Sequence, residues 1–203
     1  MANVIDFYFD FLSPFSYIAH TQLPKLAKRH GWALAYHSVD LQQLKIAGGN
    51  TGPSSRDQPL KSRYNRQDFK RWMAHYGISV KHPAAYDPQH RLNKGAFFAI
   101  DDNRIEPYAT AAWNRVWGQG GDMRDEALIA DVACEMGWDA DAFLAYTLSD
   151  PPAKRFQAET DAAHKRGVFG VPTMMIGEEM WWGNDRLFFL ENYLAAHATA
   201  PAK

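Results

Sequence analysis

The chain of 203 residues carries 22 Lys and Arg against 23 Asp and Glu, a formal net charge of −1, with 46% of its residues hydrophobic. That balance supplies no basic stripe for nucleic acid or an anionic membrane, and no run approaches the ~18 apolar residues of a membrane span, so neither is expected as a partner. A single cysteine, Cys134, excludes an intrachain disulfide and a thiol-rich zinc site, and no two of the eight histidines lie four apart, so no metal is expected.

The N-terminus starts on VIDFYFDF with no basic n-region and no small-residue cleavage site, which makes the cytoplasm the expected location. Residues 3–11 (NVIDFYFDF) are β-branched and aromatic on both faces, a pattern for a strand buried inside a sheet. Ser13 then stands as a helix N-cap with Pro14 at the first helical position, and the pattern runs through Tyr17, Ile18, Leu23, Leu26 and Ala27 to a stop at Gly31, with a kink expected at Pro24. Trp32, Leu34 and Tyr36 alternate with smaller residues, a second strand reaching about Val39. Strand, helix and strand at this spacing make a right-handed βαβ unit with parallel strands.

Residues 46–60, rich in Gly, Ser and Pro, read as a long loop. From about 64 to 165 the pattern is helical, with Phe69, Trp72, Met73 and Tyr76 on one stripe and a loop at 118–125. Cys134 falls within the apolar run LIADVACEM and reads as a buried structural cysteine. Strand signals return at Pro172–Ile176 and Met180–Trp182, followed by a helix that begins near Asn184-Asp185 and carries Leu187, Leu190 and Leu194 on one face. The result is α/β: a four-stranded mixed sheet built by residues 1–63 and 166–203, with a helical insertion at 64–165.

Three places could carry chemistry. Ser13-Pro14-Phe15-Ser16 lies past a strand's carboxyl end and at a helix N-terminus, where free N–H groups and the dipole favour an anion. A cap hydroxyl can also donate to a thiolate and lower its pKa, although a capping serine needs no further role. Gly170-Val171-Pro172-Thr173 opens a strand with a proline; a cis Val171–Pro172 bond would free neighbouring backbone groups for an extended peptide, while trans is the commoner form. In Met180-Trp181-Trp182-Gly183-Asn184-Asp185, strand alternation cannot put both tryptophans on one face. Aromatics are abundant at 14%; many must be core, but a surplus is also what a pocket for a flat organic substrate would need.

Taken together, these pieces resemble the thioredoxin-fold branch that holds DsbA-like oxidoreductases and kappa-class glutathione transferases. More closely, DFYFDFLSPFSY (6–17), VFGVPTM (168–174) and EMWWGNDRLF (179–188) resemble the bacterial 2-hydroxychromene-2-carboxylate isomerases of naphthalene-type degradation, and VDLQQLKIAGGNTGPSSRD (39–57) resembles their middle motif. Where redox relatives carry a CxxC pair, this chain has Ser13 and Ser16. The resemblance therefore implies a borrowed thiol, that of glutathione, with Ser13 beside its sulfur. It implies that Val171 pairs with the tripeptide next to a cis Pro172, and that Trp182, Gly183, Asn184 and Asp185 bind the rest. For the aromatic substrate it implies Lys45, Ser55, Arg56 and Tyr86, and for assembly a homodimer. The reaction implied is reversible addition of the glutathione thiolate to an unsaturated ketone, with the enolate held by Lys45 or Arg56. A kappa-like transferase or peroxidase acting on other electrophiles is the alternative enzyme, and a non-catalytic thioredoxin-like binding module the alternative class.

Overall fold

A computed structural model describes residues 3–53 and 57–197. β1 (Val4–Phe9), α1 (Pro14–His30) and β2 (Ala33–Ser38) form the expected βαβ unit, with β1 and β2 parallel. β3 (Thr173–Ile176) pairs antiparallel with β1, and β4 (Glu179–Trp182) antiparallel with β3, giving the order β2-β1-β3-β4. This is the four-stranded mixed sheet of the thioredoxin-like fold.

β1 is apolar on both faces because both faces are covered. Ile5, Phe7 and Phe9, with Phe11 beyond them, join the large core against α1 and Trp113. Tyr8 points the other way, into a smaller cluster with Val39, Leu44, Val168, Val171 and Met175. Each fully buried large apolar side chain contributes about 1.5–3 kcal/mol, so the strand is anchored on both sides. α1 opens on Ser13, in extended conformation, with Pro14 behind it, and ends at Gly31, whose φ of 70° meets the left-handed requirement of the C-cap.

The helical block comprises α2 (Leu41–Ala47), α3 (Pro59–Tyr76), α4 (Arg91–Asp101), α5 (Ile105–Trp113), α6 (Glu126–Glu135), α7 (Ala140–Leu148) and α8 (Asp150–Lys165). α5 runs on into a π-helical turn over Asn114–Gly118. After β4, a 3-10 turn (Asn184–Arg186) leads into α9 (Leu187–Ala196), which buries Leu187, Leu190 and Leu194 as expected. No helix among the described residues is long and apolar enough to cross a membrane.

The structure departs from expectation at three points. The loop expected at 46–60 is shortened at both ends. The side chain of Asp40 accepts the Gln42 and Gln43 amides at 2.8 and 3.0 Å and starts α2, whose pattern is weak because only Leu44 is buried; α3 begins already at Pro59. Residues 77–90 are not helical. Gly77 sits at φ 64°, Pro83 and Pro88 lack N–H donors, and the segment bonds sideways instead, Lys81 N–H to Trp117 O and Met123 N–H to Ala85 O. Finally, Cys134 is exposed: Ile129, Val132, Ala133 and Met136 form the buried stripe of that segment, and Cys134 lies off it.

Candidate active site

Because β1 and β2 are parallel, their carboxyl ends deliver the Ser13 turn and the Asp40-capped start of α2 to the same end of the sheet. Ser13 is buried, with 3% of its surface exposed. Its Oγ accepts the Ser16 amide at 3.2 Å, which is the cap bond. Its proton is directed at the Val171 carbonyl, 3.5 Å away, near the outer limit for a hydrogen bond. The hydroxyl thus spends a lone pair on the cap and keeps its donor only weakly engaged. No acidic residue occupies the first turn of α1 to compete for the positive end of the helix. An anion placed at this turn meets a weakly engaged hydroxyl donor and the positive end of the α1 dipole.

Val171 belongs to the segment facing Ser13, and the Val171–Pro172 peptide bond is cis. Pro172 O accepts the Gly183 amide at 2.8 Å, tying this turn to the end of β4. The two tryptophans of that strand part company, as alternation requires. Trp181 packs on Tyr193 of α9, and Trp182, 52% exposed, packs on Phe169 at 4.9 Å. The backbone near Trp182 is close: a Cβ on Gly170 would stand 2.9 Å from its Nε1.

Between these walls lies a cleft of about 770 Å³ that brings together Ser13, Lys45, Tyr86, Val171 and Trp182. Its far side is aromatic. Phe15 meets Phe69 of α3 at 5.6 Å, Phe69 stacks on His82 at 6.2 Å, and Trp117 lies 5.9 Å from His82 and 6.2 Å from Tyr86. Ser62, Asn65 and Arg66 of α3 line the cleft with Phe69, one helical face at i, i+3, i+4 and i+7. Sequence reasoning misses this wall. The stripe through Phe69 looks like core, and His82 sits in a stretch that looks helical.

Pro172, Gly183, Asn184 and Asp185 do not line the cleft, although they adjoin Val171 and Trp182, which do. Asn184 is buried with no partner for its Nδ2 among the described residues, while Asp185 is exposed and bonded to Arg186 at 2.6 Å. Ser55 and Arg56 lie outside the described residues. A second hollow of about 490 Å³, between Pro24, Trp32 and Glu106, shares no residue with the cleft. Among the described residues no three His, Cys, Asp or Glu side chains gather where a metal ion could be held.

Residues 4–195 match the model of the DSBA-like thioredoxin domain family. The chain is 46% identical over 189 residues to a 2-hydroxychromene-2-carboxylate isomerase of Pseudomonas putida, covering 93% of each sequence. It is 41% identical to one of Sphingobium xenophagum, covering 96% of this chain and 99% of that one. A solved structure of a 2-hydroxychromene-2-carboxylate isomerase superposes with a TM-score of 0.90 at 44% identity, over 96% of this chain and 95% of the other.

Proposed function

The chain belongs to the DSBA-like thioredoxin family and, within it, to the 2-hydroxychromene-2-carboxylate isomerases, and from that premise we propose that it isomerises 2-hydroxychromene-2-carboxylate and trans-o-hydroxybenzylidenepyruvate with glutathione as cofactor. The observation that carries the reading is Ser13: a buried hydroxyl at a helix N-terminus, lining an aromatic-walled cleft, where redox relatives keep a thiol.

The residues present fit a γ-glutamyl tripeptide. The Val171 turn, next to a cis proline, offers backbone to an extended chain beside Ser13. Trp182 forms the adjoining wall, and two residues on, the buried Asn184 has no partner for its Nδ2 among the described residues. Bound glutathione would supply a thiolate whose reversible addition beside the phenyl ring of the unsaturated ketone converts a fixed double bond into one that rotates. Ser13 holds that sulfur as thiolate by donating its hydroxyl proton, with the α1 dipole acting in the same direction. The Lys45 ammonium faces the charge that develops on the ketone oxygen, where a positioned cation lowers the barrier most. Tyr86 meets the substrate's phenol, and Phe15, Phe69 and Trp117 cover its ring. Arg56 and Ser55 belong to the same substrate set.

A naphthalene-type catabolic role, a cytoplasmic location and a homodimer belong to the same proposal; fractionation and sedimentation test the last two. The direct test is to follow isomerisation with and without glutathione. Turnover that rises with glutathione, with the thiol recovered unchanged, supports the reading. Equal rates in its absence sink the cofactor, and a stable glutathione conjugate as product sinks the isomerase in favour of a transferase.

A further inference from the structure

We infer that Asp10 is a positioning residue of this site: its buried carboxylate clamps the Ser13 turn to helix α2, which carries Lys45. The inference deepens the reading above and rests on it for the identity of the two parts being aligned. Asp10 follows β1 directly and is completely buried. One oxygen accepts the amide of Leu12, the residue before Ser13, at 2.9 Å. The other accepts the amide of Leu41, the first residue of α2, also at 2.9 Å. The Asp10 carbonyl further accepts the Ser13 amide at 3.0 Å. One side chain therefore sets the distance between the residue that holds the sulfur and the helix that presents the cation.

α2 is otherwise tied to α8, where Gln157 donates to the Gln43 side chain at 2.8 Å, and to the smaller core cluster through Leu41 and Leu44. It is seven residues long and buries only Leu44. The groups facing the clamp are Asp40, which caps α2, and His90 at the start of α4, whose Nε2 lies 3.7 Å from Asp40 Oδ2; Thr160 of α8 holds the Asp40 amide. Burial pushes the Asp10 carboxyl up to about 6, against the pull of His90 and the two amides. A carboxyl whose folded pKa lies above its unfolded one favours the fold most at low pH and less as pH rises through the folded value. At neutral pH the charge on Asp10 is thus a cost to folding. Its use is geometric, because only the ionised form accepts from both amides without a proton in the way.

Two variants test this. Asp10→Asn keeps the shape but turns an NH₂ toward one of the two amides. Leu41→Pro removes the N–H by which α2 reaches Asp10 and leaves the Leu12 bond in place; it does so at the first helical position, where proline is tolerated, after an Asp40 already extended at φ −84° and ψ 106°. Leu41→Ala controls for the lost side chain. The expected result is at least a tenfold fall in kcat for Asp10→Asn, with little change in its glutathione KM and a Tm at pH 7.5 close to the parent's, because relief of the buried charge offsets the one amide left unpaired. Leu41→Pro should show the same fall relative to Leu41→Ala. The parent's kcat should decline below about pH 6, and Asp10→Asn should lack that limb. Unchanged kcat in Asp10→Asn, or equal kcat in the two Leu41 variants, overturns the clamp. Amide exchange separates this failure from failure of the enzyme reading: Asp10→Asn should speed exchange in α2 whether or not the protein uses glutathione, and unchanged exchange there also overturns the clamp.

Discussion

Ser13 and Val171 stand 158 residues apart in the chain and 3.5 Å apart across the cleft, hydroxyl to carbonyl. The contact joins the two end pieces of the fold at one point, and it is long enough for a bound sulfur to compete for the proton. Ser13→Ala should therefore lower turnover by about 100-fold, the scale of losing one donor aimed at developing charge. The same variant should raise the pKa of the bound thiol, read from thiolate absorbance. Loss of the cap alone costs about 1 kcal/mol of stability. A variant that loses that stability but keeps its turnover and thiol pKa would leave Ser13 as a cap and nothing more.

Gly170 admits Trp182 to the cleft wall. A methyl at this position would stand 2.9 Å from the indole nitrogen, so Gly170→Ala must push the ring aside. The ring is half exposed and can move cheaply. We expect the KM for glutathione to rise by about tenfold, a loss near 1.4 kcal/mol, with stability changed by less than 1 kcal/mol. Trp182→Ala should reproduce the rise. Normal KM values in both would remove Trp182 from the binding wall.

His37 lies between two carboxylates, Asp6 at 3.0 Å and Glu159 at 3.2 Å, and stacks on Tyr8. Burial disfavours its charged form, but the hydrogen bonds to Glu159 and Asp6 win and its pKa is raised. The stabilisation is complete below the unfolded value near 6.5 and fades as pH climbs through the raised folded value. His37→Gln should cost about 1–2 kcal/mol at pH 6 and much less at pH 9 in chemical denaturation. A cost independent of pH would show that the ring is held neutral.

Ser16 is fully buried and its hydroxyl has no partner among the described residues. Leaving such a group unpaired costs about 1–3 kcal/mol. Ser16→Ala keeps the amide that bonds Ser13 and should raise Tm by about 2–4 °C per kcal/mol recovered. A fall in Tm would mean that the hydroxyl has a partner, such as a bound water.

The frame of the site is legible because local chemistry dictates it. The two-sided apolar run of β1, the Ser13 cap with Pro14 behind it and the Trp181-Trp182 alternation each need only neighbouring residues. What depends on distant partners is not legible. α2 is held by Asp10 and Thr160, 31 and 120 residues from the amides they bind, so its own short stretch, with Gln42, Gln43 and Lys45 among its seven residues, signals little. The strap at 77–90 is fixed by bonds to residues 117–123, and it places His82 and Tyr86 where periodicity suggests a helix face. Phe69 reads as core and is core, yet it also lines the cleft. Cys134 fails for the opposite reason: an apolar run does not say which of its residues turns outward.

A crystal structure of the protein with glutathione tests the central claim most directly. The account predicts the sulfur within hydrogen-bonding distance of Ser13 Oγ, the tripeptide backbone paired with Val171, and Lys45 on the wall of the same cleft as the sulfur. A tripeptide bound elsewhere, or a sulfur turned away from Ser13 in an otherwise ordered complex, would contradict it.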